Sequence, residues 1–98
     1  MEDYSSATLK AYIEYINGVA SLDLTGKGLS RVPDAVTELS EVGALSLSDN
    51  NLTELSTSIN KLKNLTSLGL DGNKLAELPP EMCDLKELIA LNLTIKQM

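Results

Sequence analysis

The sequence contains no histidine, no tryptophan and no phenylalanine among its 98 residues. Without histidine there is no histidine-based catalytic triad, no imidazole metal ligand and no side chain whose ordinary pKa lies near neutrality. A single cysteine, Cys83, excludes an internal disulfide and favours a reducing compartment. We therefore expect a cytoplasmic protein that is not an enzyme and that has no catalytic residues, no metal site and no cofactor.

Basic residues are scarce as well. Eight lysines and arginines are set against fourteen aspartates and glutamates, which gives a formal net charge of -6, and the basic residues are scattered along the chain. Nucleic acid is not expected as a partner, because a phosphate backbone is normally bound by a basic patch. No apolar run approaches the roughly 18 residues of a membrane-spanning helix, so no membrane partner is expected either.

What the sequence has in abundance is leucine, and its leucines recur every 23 residues. Leu68, for example, is preceded at this period by Leu45 and Leu22 and followed by Leu91. Each full copy carries seven apolar positions, which in the third copy are Leu65, Leu68, Leu70, Leu75, Leu78, Met82 and Leu85. A fixed period of this length predicts a solenoid of stacked repeats.

The spelling L-x-x-L-x-L-x-x-N-x-L resembles the leucine-rich repeat family, and the limb L-P-x-x-[I/V/M]-x-x-L resembles its short Ras-group-related and bacterial type. The resemblance implies an α/β fold of one domain. We expect a short right-handed arc with a parallel β-sheet on the concave face and short helical or irregular limbs on the convex face. The expected copies span residues 19–41, 42–64 and 65–87, with a partial fourth copy at 88–98. In the family, an asparagine ladder bonds adjacent turns, and here it would consist of Asn50 and Asn73.

Residues 1–18 differ from the repeats and are predicted to form an N-terminal capping helix. Leu9, Tyr12, Ile13 and Ile16 follow the spacing of one helical face. Ser5 or Ser6 would cap the start of this helix, and Asn17-Gly18 would end it. The expected role of the helix is to cover the open end of the first repeat.

The resemblance implies that partners bind the concave face, where the outward strand positions are small and faintly acidic. The candidate partner-binding residues are Asp23, Ser46, Ser48, Asp49, Asp71 and Asn92. Their carboxylates would attract a basic protein segment, and the alternative is a solvated face with no ligand.

The fourth strand is expected to form the open edge of the sheet, with extra apolar residues. The candidate self-association residues are Ile89, Leu91, Leu93 and Ile95. Three interpretations stay open here: a homodimer through this C-terminal edge, a covering C-terminal extension, or an end that frays.

The function that follows is a non-catalytic protein-protein interaction module with an unidentified protein partner. One alternative is a fragment or vestige of a larger leucine-rich-repeat protein whose function lies in a missing C-terminal part. Another is a regulatory subunit or effector of a partner enzyme.

Overall fold

The computed structural model describes residues 4–95, apart from the side chains of Ser6 and Ile95. Its described elements are one α-helix, five β-strands and three 3₁₀ helices. In chain order they are α1 (Ser6–Tyr12), β1 (Glu14–Ile16), β2 (Val19–Asp23), η1 (Asp34–Glu38), β3 (Ala44–Ser46), η2 (Thr57–Lys61), β4 (Ser67–Leu75), η3 (Pro80–Asp84) and β5 (Ala90–Ile95).

The five strands form one sheet in the order β1-β2-β3-β4-β5. Strands β2 to β5 are parallel, and their pairing follows the 23-residue period, because Leu22, Leu45, Leu68 and Leu91 are register partners in turn. Each of β3, β4 and β5 is reached from the preceding strand through a limb that contains one 3₁₀ helix. This is the architecture of a repeat solenoid, as the period predicts.

The core is a stack of aliphatic side chains enclosed between the sheet and the limbs. Leucines of the strands point inward, and Val36 of η1 and Ile59 of η2 meet them from the other side, both 1% exposed. The corresponding residue of the third limb, Met82 of η3, is less well covered and is only half-buried. The limbs begin after Pro33, Ser56 and Pro79, each in an extended conformation from which a tight helical turn can start.

The N-terminal segment contradicts the prediction of a single capping helix. Ser5 does cap α1, with its hydroxyl accepting from the Thr8 amide at 3.4 Å. The helix ends at Tyr12, however, and the chain continues through the extended Ile13 into β1, which pairs antiparallel with β2. The prediction that the helix continues to residue 16 was wrong.

Asn17 and Gly18 therefore form the turn of a β-hairpin instead of ending a helix. Their φ angles of 53° and 80° are both positive, which is the conformation of the two-residue turn that Asn-Gly favours between antiparallel strands. Pairing with β1 satisfies the backbone N–H and C=O groups on the outer side of β2, which a helix could not do. Of the predicted apolar face, Leu9 is fully buried, whereas Tyr12 and Ile16 are 54% and 56% exposed.

Candidate functional site

The open face of the sheet carries the candidate partner-binding residues. We define it as the side chains that point away from the leucine core in β2 to β5 and in the residues directly after β2 and β3. Asp23 is paired with Ser46, Ser46 with Gly69, and Gly69 with Asn92. An open depression of about 280 Å³ runs across this face between Ser21 and Asn92. The face predicted to be concave thus brings small polar side chains from four strands together.

Gly69 allows the hydroxyl of Ser48, which follows β3, to lie close to the sheet. A Cβ atom at this position would come within 2.9 Å of the Ser48 hydroxyl and 3.5 Å of the Ser46 hydroxyl. Because glycine has no Cβ atom, the Ser48 hydroxyl can occupy that space, whereas the Ser46 hydroxyl would be at ordinary contact distance. The depression is therefore lined by hydroxyl groups and by backbone.

Three hydroxyl residues, Thr25, Ser46 and Ser48, form a hydrogen-bonded series that we call the hydroxyl row. The Ser48 hydroxyl donates to Asp71 Oδ1 at 2.7 Å, and the Ser46 hydroxyl donates to Ser48 Oγ at 3.3 Å. Thr25 Oγ1 lies 2.7 Å from Ser46 Oγ, and either hydroxyl can be the donor in that pair. Each hydroxyl has a single proton, which it can use on another hydroxyl of the row or on a carboxylate at its end, so the capacity left on the face consists of acceptors.

Asp23 lies at the other end of the hydroxyl row. Its Oδ1 accepts from the Thr25 amide at 3.0 Å. Hydrogen bonding by the Thr25 side chain and then by its backbone lowers the pKa of Asp23 below 3.8; Lys27 lowers this pKa by less, and burial partly opposes the change. The row therefore runs between two carboxylates, Asp23 and Asp71.

Asp49 lies beside the row, in a backbone conformation with a φ of 56°. A Cβ atom at Gly72, which also has a positive φ, would overlap the Asp49 carboxylate. The glycine thus makes room for the Asp49 side chain above the next turn. Asp49 is exposed and Asp71 is half-buried, so a partner can reach both carboxylates.

The two asparagines of the predicted ladder are buried between successive turns. Asn50 Oδ1 accepts from the amides of Lys27 and Leu29 at 2.9 and 3.0 Å. Its Nδ2 donates to the carbonyls of Leu24 and Leu47, both at 2.9 Å. One side chain thereby satisfies backbone groups of two repeats that would otherwise be buried without partners.

Asn73 does the same one repeat later. Its Oδ1 accepts from the Leu52 amide at 3.0 Å, and its Nδ2 donates to the carbonyls of Leu47 and Leu70 at 2.8 and 3.1 Å. The ladder position of the fourth copy, Lys96, lies outside the described residues.

The last strand exposes apolar side chains that earlier strands bury. Leu91 is 40% exposed, whereas its register partner Leu68 is 1% exposed. Ile89 is 86% exposed, and Leu93 is half-buried. The Ile95 side chain lies outside what the structure describes, so only its backbone, paired at Leu75 after a register shift, is placed at this edge.

Comparison with known proteins decides the family. The Leucine rich repeat family model matches residues 17–75, more than half of the chain. The chain belongs to the leucine-rich repeat family. The resemblance found in the sequence is therefore confirmed.

Solved structures agree with this assignment. A leucine-rich-repeat protein of Leptospira interrogans is similar over 95% of this chain, with a TM-score of 0.57 and 27% sequence identity. The chain spans 28% of the length of that protein. A search of curated proteins finds no match.

Other kinds of site receive no support within residues 4–95. No group of three or more acidic or cysteine side chains there is arranged to hold a metal ion. Cys83 is a free, exposed thiol. None of the helices described in this leucine-rich-repeat chain is both long enough and apolar enough to span a membrane.

Reasoning from the sequence missed one member of the candidate site, Thr25. It stands on the open face, but only the structure shows that it links Asp23 to Ser46. The missed hairpin strand β1 did have a sequence signature, because Asn17-Gly18 is flanked by β-branched and aromatic residues, a pattern typical of two-residue hairpins.

Proposed function

We propose that this leucine-rich-repeat chain is a non-catalytic protein-interaction module that binds its partner on the open face of the sheet. Membership of the family supports an interaction role, and the hydroxyl row with its two terminal carboxylates supports the location. The proposed contact residues are Asp23, Thr25, Ser46, Ser48, Asp49, Asp71 and Asn92. The exposed thiol of Cys83 favours the cytoplasm as its location.

The chemistry of this face indicates a basic partner segment. The hydroxyl protons are used within the row, so the free capacity of the face consists of acceptors, mainly the oxygens of Asp23, Asp49 and Asp71. Lysine, arginine and backbone amides are the complementary donors. The face carries no tryptophan, tyrosine or arginine to act as an anchor, so we expect modest affinity that falls as salt is added.

Selection of short random peptides on the purified chain tests this proposal. We expect the selected peptides to be rich in lysine and arginine and to perturb the amide resonances of Ser46 and Ser48. The triple variant Asp23→Asn, Asp49→Asn, Asp71→Asn keeps the side-chain acceptors but removes three charges. It should bind about tenfold more weakly, since three exposed ion pairs contribute roughly 0.5 kcal/mol each.

A matched control removes three charges elsewhere, through Asp34→Asn, Glu54→Gln and Glu77→Gln, which all lie at exposed positions outside the open face. This control should bind the peptides as the wild type does. Equal losses in the two triple variants would show that only the net charge matters. Peptides that perturb the limbs and leave the open face unchanged would contradict the proposal.

A second candidate follows from the length of the structural relative. Because the chain spans 28% of the Leptospira protein, the 98 residues can also act as one part of a longer array. In that case the contact surface would extend beyond β5, and the peptides selected on this chain would bind more tightly to a longer form.

A further inference from the structure

The outer edge of β5 presents backbone groups that no described strand pairs. In the earlier repeats the core-facing leucines donate forward, from the Leu24 amide to Ser46 O at 2.9 Å and from the Leu47 amide to Gly69 O at 2.8 Å. Leu93 holds the equivalent position in β5, as the register partner of Leu70. Its N–H and C=O therefore face away from β4, as do those of Leu91 two residues earlier.

This edge lacks the features that usually prevent strand pairing. Residues 88–95 contain no charged residue and no proline, in a chain whose net charge is -6, and the register shift of β5 comes only after Leu93. Edge strands are commonly protected by lysine, proline or a bulge. A second copy of an acidic chain can approach here without charge repulsion, whereas most of the surface would repel it.

A two-fold axis fits this strand in only a few registers. Residues directly opposite each other in an antiparallel pair share a face of the sheet, so the axis must pass through a residue to keep leucine opposite leucine. With the axis at Asn92, Leu91 lies opposite Leu93 of the second copy. Their outward N–H and C=O groups then form reciprocal hydrogen bonds, and all four leucines lie on the core side.

The other end of the molecule disfavours open stacking. α1 covers the core of the first repeat, and β1 is the other edge strand of the sheet. β1 is only three residues long and includes the charged Glu14, so it offers β5 of a second copy a shorter and charged edge. Contact through β5 alone closes after two copies.

The pairing is self-complementary, as a two-fold interface requires, because Leu91 and Leu93 exchange backbone hydrogen bonds in both directions. We propose that β5 pairs antiparallel with β5 of a second copy about a two-fold axis at Asn92. The two five-stranded sheets become one continuous sheet, and the two open faces become one surface.

Disulfide trapping tests the register directly. In this pairing the two Asn92 residues form a pair without backbone hydrogen bonds, with Cα atoms about 4.5 Å apart, inside the range of a disulfide, about 4.4 to 6.8 Å. Thr94 lies opposite Ala90, so the two Thr94 residues are separated by roughly 13 Å along the strands. In a Cys83→Ser background, Asn92→Cys should oxidise to a covalent dimer of twice 10.5 kDa, and Thr94→Cys should not.

Light scattering on the chain without added cysteines provides the second arm. We expect a dimer mass for the wild type and for Asn92→Thr, which suits a strand. A monomer mass is expected for Asn92→Lys, which places two like charges at the axis. A wild-type monomer at high micromolar concentration would overturn the dimer. Equal trapping of the two cysteine variants, or a larger assembly, would overturn the two-fold pairing at Asn92.

Discussion

At the scale of single residues, the asparagine side chains hold successive turns together. Asn50 is 5% exposed and serves two amides and at least two carbonyls of neighbouring repeats. Alanine at this position would leave buried backbone groups without partners, at about 1 to 3 kcal/mol for each group. The sequence predicts this role because the asparagines recur with the leucine period, so position alone identifies them.

We predict that Asn50→Ala lowers the free energy of unfolding by about 3 kcal/mol or more. The matched control is Asn51→Ala, one residue later and exposed, which should change that free energy by less than about 0.5 kcal/mol. Urea denaturation followed by circular dichroism measures both. Similar losses in the two variants would mean that the buried amide bonds contribute little.

Asp23 gives the open face a dependence on pH. Its pKa is lowered in the folded chain, first by hydrogen bonding from the Thr25 side chain and then from the Thr25 backbone. A carboxyl group with a lowered pKa stabilises the fold above its unfolded pKa of 3.8. This contribution is lost as the pH falls through the folded value.

We therefore predict that Asp23→Ala destabilises the chain near neutral pH and that the difference from wild type shrinks as the solution is acidified below pH ~4. Paired urea titrations across this range measure the effect. Glu54→Ala, also exposed, is the control for removal of one acidic charge. A difference that stays constant down to the lowest pH would contradict the assigned cause.

At the scale of elements, the repeats were predictable and the N-terminal unit was not. A strand position in a repeat is specified by several copies of the same pattern, so the leucine columns gave the correct register of β2 to β5. The segment before Val19 occurs once. Its apolar residues suit a helix by spacing and a strand by their β-branched and aromatic character, and pairing with β2 decided between them.

The observed hairpin and the continuous helix expected from the sequence predict different effects of substitution at Leu9 and Tyr12. Leu9→Ala should cost about 3 kcal/mol of unfolding free energy, because Leu9 is fully buried and its removal leaves a cavity. Tyr12→Ala should cost less than about 1 kcal/mol, because Tyr12 is 54% exposed. Thermal and urea denaturation of both variants measures this. Comparable losses would favour the continuous helix.

At the scale of the whole molecule, the solenoid has two unlike ends. β1 and β5 are both edge strands, but α1 packs against the first repeat, while no described element covers the core beyond β5. In a solenoid each repeat gains stability from its neighbours, so opening begins where a neighbour is missing. The period predicts a fourth strand in register with the others, but which of its backbone groups face outward required the hydrogen bonds of the structure.

Protection from hydrogen exchange should therefore decrease from the central strands towards β5. At low micromolar concentration we predict that the amides of Leu45 and Leu68 in the central strands exchange slowly and that those of Leu91 and Leu93 exchange much faster. The central amides are enclosed by strands on both sides, whereas the Leu93 amide faces outward.

At high micromolar concentration the proposed pairing would slow the exchange of Leu91 and Leu93 selectively and leave the exchange of Asn92, whose amide faces β4, less affected. Asn92→Lys is the control and should show no concentration dependence. Uniform protection from β2 to β5 at low concentration would contradict an uncovered end. Fast exchange of Leu93 at both concentrations would contradict the pairing of β5 with a second copy.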